Sequence, residues 1–289
     1  MTPKTAPLLA CALLAGGALH AESSEYPLVI NLPSAERMQY WDMGVVFTHR
    51  FIQPVKDHGK DVYGLDGFTY AGLGLTFGIK PVPGLNAFIY RTSDNKTFTF
   101  GFQEQVLNGE RVRMGIRAER FDEVVKATVT PLGNVGVTGG TFQVPTEIFI
   151  TDDIIFSLVP TYITRTTTTN TILAVPPGGT PNTSPNKGGV FNVGLGFRAG
   201  ITEKLSFVGE YYPRPSKFAK AAPGGITDGT TYQNGFAAGL SYKTFKHRFS
   251  VFGTNASGTT ENQVMSGDYG GGPRPSTNWS IGFNVARVF

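Results

Sequence analysis

Tyr70-Ala71-Gly72-Leu73-Gly74-Leu75-Thr76-Phe77-Gly78-Ile79 decides the fold. Ala71, Leu73, Leu75, Phe77 and Ile79 share one parity, and Tyr70, Gly72, Gly74, Thr76 and Gly78 share the other. Successive side chains of a β-strand point to opposite faces, so this stretch reads as a strand with one apolar face and one small or polar face. The pattern returns at 190–201, where Phe191, Val193, Leu195 and Phe197 alternate with Asn192, Gly194, Gly196 and Arg198. It returns again at 278–289, where Trp279, Ile281, Phe283, Val285 and Phe289 oppose Ser280, Gly282, Asn284 and Ala286. A soluble sandwich also alternates in this way, so the order and linkage of the strands must separate it from a barrel.

Extending the same reading predicts strands at 38–50, 69–79, 85–91, 97–107, 110–120, 141–150, 154–165, 189–201, 205–212, 233–243, 247–255 and 278–289. A strand of about 10 residues tilted by about 40° climbs roughly 25 Å, the height of the apolar band of a membrane barrel. Every second link is short: 80–84, 108–109, 151–153, 202–204 and 244–246. The intervening links 51–68, 121–140, 166–188, 213–232 and 256–277 are long and polar, and only 92–96 is not. Short periplasmic turns alternating with long outer loops are the signature of an outer-membrane barrel. The fold class is therefore all-β, an antiparallel up-and-down transmembrane barrel of about twelve strands. Residues 124–130 alternate on their own and could form an extra strand, a hairpin or an extension of the fifth strand; they are read as outer loop, because a further span would invert everything after them.

Composition agrees. No run of about 20 apolar residues exists to make a membrane helix, and the mean hydropathy is −0.08, as a barrel requires when only alternate positions are apolar. The net charge of +4 is scattered, with no basic run interleaved with aromatics, which excludes nucleic acid as a partner. Residues 1–21 read as a secretory signal, with Lys4 before an apolar stretch at 6–19 and a cleavage site at Leu19-His20-Ala21. Cleavage after Ala18 is an alternative. Removal of the signal takes with it Cys11, the single cysteine, and excludes disulfides and thiolate metal sites. The expected organisation is a signal peptide (1–21), a periplasmic N-terminal segment (22–37) and the barrel (38–289), exported through the periplasm to the bacterial outer membrane and in contact with its lipid.

The fifth strand sets the sidedness. Val112, Met114 and Ile116 share one parity; Arg111, Arg113, Arg117 and Glu119 share the other. A lipid-facing Arg costs roughly 2–4 kcal/mol at the midplane, so the charged row must face the lumen. The same argument turns Gln103, Gln105, Gln143, Glu147, Arg165, Arg198, Glu210 and Lys243 inward. Two readings of the inward charges stand side by side: cross-strand ion pairs that stiffen the wall, and a lining that sets ionic selectivity. Tyr40, Trp41, Tyr211, Tyr242 and Trp279 fall near strand ends, where aromatic girdles belong. Pro145 and Pro160 interrupt proposed strands, and a bulge is expected at each.

Catalytic chemistry finds little support. His49 falls on the apolar parity at the end of the first strand, and His58 lies in a charged loop. Asp152-Asp153 suits a turn better than a metal. No catalytic residue, metal site or cofactor is expected, and no enzymatic activity.

The chain resembles an uncharacterised family of bacterial outer-membrane β-barrel proteins, a domain of unknown function. The pieces that carry the resemblance are Asn31-Leu32-Pro33-Ser34-Ala35-Glu36, Thr48-His49-Arg50-Phe51, Gly64-Leu65-Asp66, Pro160-Thr161-Tyr162 with Arg165, Glu210-Tyr211-Tyr212, and Gly282-Phe283-Asn284 through Arg287-Val288-Phe289. Ile281, Phe283, Val285 and the terminal Phe289 are also similar to the signal read by the barrel-assembly machinery, the partner expected during biogenesis; Arg287 departs from it. The resemblance implies a barrel and brings no activity, ligand or catalytic residue to carry over. A barrel of this size measures roughly 24 Å between backbones. The expected function is a passive channel for small hydrophilic, weakly anion-preferred solutes; the alternative is a closed structural or docking barrel acting through its outer loops or a periplasmic partner. Links 51–68 and 166–188 are long enough to fold into the bore.

Overall fold

In a computed structural model the described residues are 29–55, 63, 65–66, 69–79, 84–126, 134–164, 189–213, 234–256, 258–266 and 279–289. The expected signal, the loop residue His58 and the lumen candidate Arg165 lie outside them. The strands are β1 (Met43–Phe51), β2 (Thr69–Gly78), β3 (Leu85–Thr92), β4 (Phe98–Asn108), β5 (Val112–Lys126), β6 (Asn134–Gln143), β7 (Thr146–Phe149), β8 (Ile154–Ile163), β9 (Val190–Gly200), β10 (Leu205–Tyr212), β11 (Gly235–Lys243), β12 (His247–Thr254) and β13 (Ser280–Val288). A short helix, α1 (Glu261–Ser266), precedes β13.

Apart from β6 and β7, each strand pairs antiparallel with its chain neighbours, and β1 pairs with β13 to close the sheet on itself. β6 and β7 are two lengths of one stave: both pair with β5 and both with β8 in unchanged register, Arg117 opposite Gln143 and Met114 opposite Thr146. The result is a closed barrel of twelve staves. No described helix is long and apolar enough to cross a membrane.

The prolines behave differently from the expectation. Neither Pro145 nor Pro160 shifts the register. Each lacks a donor but keeps its carbonyl in the ladder: Pro145 accepts from Gly115 N at 2.8 Å, and Pro160 from Val144 N at 3.1 Å. Half of each hydrogen-bonded pair survives, which interrupts the ladder without a bulge. The register shift falls instead between Gln105 and Leu107 on β4. Residues 124–126 are an extension of β5, paired with 134–136 of β6, so the sixth stave begins earlier than 141 and the link 121–140 is largely a paired ribbon; 127–130 lie outside the described residues.

The outward row is apolar around the barrel, with Phe47, Leu73, Phe102, Ile116, Phe156 and Leu240 all exposed. Arg120 and Asp122, paired at 3.5 Å on the outward parity of β5, mark where this row leaves the lipid. Tyr40, Trp41 and Tyr242 lie exposed near the short-turn end, Tyr211 and Trp279 near the long-loop end. His49 stacks on Phe283 at 4.9 Å and meets Phe51 edge-on in this outer row.

The inward row does not face an empty lumen. Residues 29–42, ahead of β1, run down the bore from the long-loop half to the short-turn end, where Trp41, at φ 67, turns the chain into the wall. The segment expected to lie in the periplasm is thus, over its described part 29–37, inside the barrel: Ile30 and Leu32 are fully buried. Residues 255–256 and 258–266, after β12, fold inward as well, bringing Val264 and Met265 to full burial. Links 51–68 and 166–188 lie mostly outside the described residues, and the inward loop seen here belongs to the link before β13.

Candidate functional site: an occupied bore

Three inward positions near the long-loop end hold the N-terminal segment: Arg50 on β1, Glu210 on β10 and Asn284 on β13. Strand parity puts their side chains in the bore, where each is buried. The Glu210 carboxylate accepts the backbone N–H groups of Ile30, Asn31 and Leu32 at 2.7, 2.9 and 2.9 Å. It also accepts from the Asn31 side-chain amide at 3.2 Å and from the Tyr212 hydroxyl. Consecutive N–H groups converging on one anion form a nest, and charge-assisted bonds of this kind are about twice as strong as neutral ones. Arg50 donates to Asn31 Oδ1 at 2.6 Å and to Asn284 Oδ1 at 2.8 Å, while Asn284 Nδ2 donates to Ile30 O at 2.7 Å. The Arg50 guanidinium lies over Phe252 at 4.5 Å, and a Cβ at Gly282 would fall 3.0 Å from Arg50 Cδ.

Further down, Gln103 Nε2 donates to Ser34 O at 2.8 Å and Gln105 Nε2 to Ala35 O at 3.0 Å. Ser34 Oγ donates to Glu147 at 2.8 Å, and Asn86 Oδ1 accepts from Met38 N at 3.1 Å. Leu32 fits against Gly194, where a Cβ would come within 2.5 Å of Leu32 Cδ2. The glycine of the inward parity is a seat for the segment.

The inward loop is held by charge. Arg117 bridges Glu119 at 3.2 Å and Glu261 of α1 at 2.8 Å, with its guanidinium 3.6 Å above the Phe88 ring. Glu123 accepts from Asn262 Nδ2 at 2.7 Å, Thr259 donates to Thr92 at 2.6 Å, and Asn192 donates to Met265 O at 2.7 Å. Where the two inserts meet, Leu32, Val264 and Met265 form one apolar cluster with Phe121, Val159, Ile163 and Tyr212 of the wall. Full burial of each such aliphatic side chain contributes roughly 1.5–3 kcal/mol. A cavity of about 30 Å³ remains between Asn31, Thr48, Tyr90, Arg117 and Glu261, room for a water or two rather than a solute.

The nine charges expected in the lumen separate into groups. Arg111 is at the rim, exposed, and donates to Ile150 O at 2.9 Å. Arg113 faces inward near the short-turn end, 4.7 Å from the Phe149 ring and opposite Glu147. Arg198, Lys243 and Arg248 occupy inward positions at the same end of β9, β11 and β12. Glu36 of the inserted segment lies in the field of Arg198, Arg113 and Lys243, with Glu147 opposing. Arg117, Glu119 and Glu210 are deeply buried towards the other end. Sequence reasoning missed Glu36, Arg50, Glu123, Arg248 and Glu261. For Arg50, Glu123 and Arg248 inward strand parity was the available signal; Glu36 and Glu261 lie outside the strands and had none.

Comparison with curated protein sequences gives no match. Among solved structures, an outer-membrane channel from Pseudomonas putida F1 is similar over 92% of this chain and 100% of its own, at 13% identity and a TM-score of 0.51. The NanC porin matches over 85% of this chain and 98% of its own, at 9% identity and a TM-score of 0.46. The outer membrane phospholipase A from Escherichia coli matches over 86% and 92%, at 10% identity and a TM-score of 0.41. The Pseudomonas likeness supports the barrel architecture and nothing finer. The membrane-bound beta barrel domain family DUF5777 matches residues 140–289, from the lower part of β6 to the terminal Phe289 and including Glu210 and Asn284. The earlier pieces of the resemblance, 31–36, 48–51 and 64–66, fall before the matched range. Fold, wall and sequence agree, and the chain belongs to this family of membrane-bound β-barrel domains.

Proposed function

We propose that the protein is an outer-membrane channel closed in this conformation by its own residues 29–38 together with the inward loop before β13, and that conduction begins when the N-terminal segment leaves the bore. The observation that carries the reading is the bonding of the segment. It is held by side chains of the wall, Glu210, Asn284, Gln103, Gln105 and Asn86, which leave a polar lining in the bore when it goes. A barrel meant only as a pillar needs no such lining behind its filling. Arg113, Arg198, Lys243 and Arg248 at the short-turn end favour anions through an opened bore.

Export by the signal at 1–21, residence in the outer membrane with the short-turn end towards the periplasm, and assembly through Ile281, Phe283, Val285 and Phe289 belong to this reading. So does a role without catalysis: both described histidines, His49 and His247, lie on the outward parity beside Phe283 and Phe249. The second reading, a permanently closed barrel, draws on the apolar cluster that Leu32 shares with Val264 and Met265. Planar-bilayer recording separates the two. The intact mature protein should be silent, and deletion of residues 22–38 should yield steady conductance. Silence of the deletion variant, in protein shown to be folded, favours the permanently closed barrel.

A further inference from the structure

The wall grips the inserted segment chiefly by its main chain. Glu210 takes three consecutive N–H groups, Asn284 bonds Ile30 O, Gln103 and Gln105 bond the carbonyls of Ser34 and Ala35, and Asn86 bonds Met38 N. These contacts run over nine residues and read groups that every peptide carries. Side-chain recognition adds Ile30 in an apolar cluster with Val208, Ala237 and Phe252, Asn31 between Arg50 and Tyr212, Leu32 on Gly194, and Ser34 on Glu147. An ion or a small sugar offers no row of N–H donors at this spacing for one carboxylate to collect.

We propose that the bore is a binding site for extended polypeptide, filled here in cis by residues 30–38 and open in trans to a peptide carrying an Asn-Leu pair. The inference rests on the preceding reading in one respect, that the segment can leave. An incoming peptide replaces the segment bond for bond: its amides satisfy Glu210 and Asn86, and its carbonyls satisfy the Asn284, Gln103 and Gln105 donors, displacing the water that would otherwise hold them.

The test uses the barrel lacking residues 22–38 and a fluorescent synthetic peptide of residues 29–38, with binding read by anisotropy. Saturable binding is expected. The same peptide N-methylated at Asn31 and Leu32 loses two donors to a buried carboxylate and should bind at least about 100-fold more weakly. Equal binding of the two peptides, or no binding to folded barrel, overturns the proposal. Should the deletion variant fail to fold, a protease site placed at 39–42 of the intact chain lets the barrel assemble around its own segment. After cleavage, the labelled peptide should exchange into the bore and the methylated one should not. Failure of the segment to exchange overturns the proposal as well. Conductance of the deletion variant without peptide affinity leaves the channel and removes the peptide site; peptide affinity without conductance does the reverse.

Discussion

Glu210 and Asn31, 179 positions apart, meet where the Asn31 backbone N–H is shared between both oxygens of the Glu210 carboxylate at 2.9 and 3.0 Å. With the flanking amides of Ile30 and Leu32 this contact ties the start of the described chain to the wall of the tenth strand. Hydrogen bonds to a buried charged group contribute roughly 1.5–3 kcal/mol, so the contact is the strongest single anchor of the inserted segment.

Glu210→Gln keeps the shape of that anchor but removes its charge and replaces one acceptor by a donor facing N–H groups. A loss of about 2 kcal/mol of docking follows, which frees the segment roughly 30-fold more often. Ser34→Cys, with the one other cysteine, Cys11, replaced by Ser, reports this as reactivity towards a water-soluble thiol reagent. Equal labelling rates with Glu210 and with Gln would show that the carboxylate does not hold the segment.

Gly194→Val acts on the same segment from the neighbouring strand, where Gly196 lies opposite Glu210. Even a Cβ would reach within 2.5 Å of Leu32 Cδ2 and 3.2 Å of Met265 Sδ, and the wall of a closed barrel cannot retreat. The expected outcome is a folded barrel with a displaced segment: Ser34→Cys labels faster, while the apparent mass in unboiled SDS stays that of the closed barrel. Protection unchanged from the parent would mean that Leu32 does not need that seat.

Arg117 and Arg113 share a strand and a parity but should respond differently to Gln. Arg117→Gln strands the Glu119 and Glu261 carboxylates in the interior, and breaking a buried ion pair costs about 3–5 kcal/mol. It should lower the temperature at which the SDS-resistant form is lost and loosen α1. Arg113→Gln, half-buried near the short-turn end, should leave that temperature within a few degrees of the parent. Indistinguishable melting of the two variants would contradict the ion-pair geometry.

Deleting Phe289 should impair assembly much more than replacing Arg287. The Phe289 amide bonds Met43 O at 2.9 Å, beside the seam where β13 closes on β1, whereas Arg287 lies on the outward parity with its guanidinium 4.6 Å from the Phe289 ring. The yield of heat-modifiable barrel in outer-membrane fractions is the measure. Comparable yields from both variants would remove Phe289 from the assembly signal.

Once residues 22–38 are deleted, the bore should prefer anions at low salt, read as the sign of the reversal potential across a salt gradient. Arg198→Gln with Lys243→Gln should reduce the preference. Molar salt should erase it, since the screening length falls to about 3 Å. A cation preference in the deletion variant would refute the assignment of the short-turn end.

The barrel itself was legible in the amino-acid sequence. Alternation such as that of residues 70–79 is a local property, and lipid on one side forces it at every stave. Arg113 and Arg117 could be turned inward from their parity alone, because an arginine in lipid is too costly. The prolines were legible only in part: whether Pro145 and Pro160 need a bulge depends on which neighbour their carbonyls address, and that is set by pairing. What fills the bore was decided by tertiary structure alone. The segment at 29–38 is gripped through amide and carbonyl groups that every residue carries, so no residue type announces it. Its anchor Glu210 looked like any inward charge until Ile30, Asn31 and Leu32 arrived from the far end of the chain, and the small side of the ninth strand at Gly194 became a seat only when Leu32 occupied it.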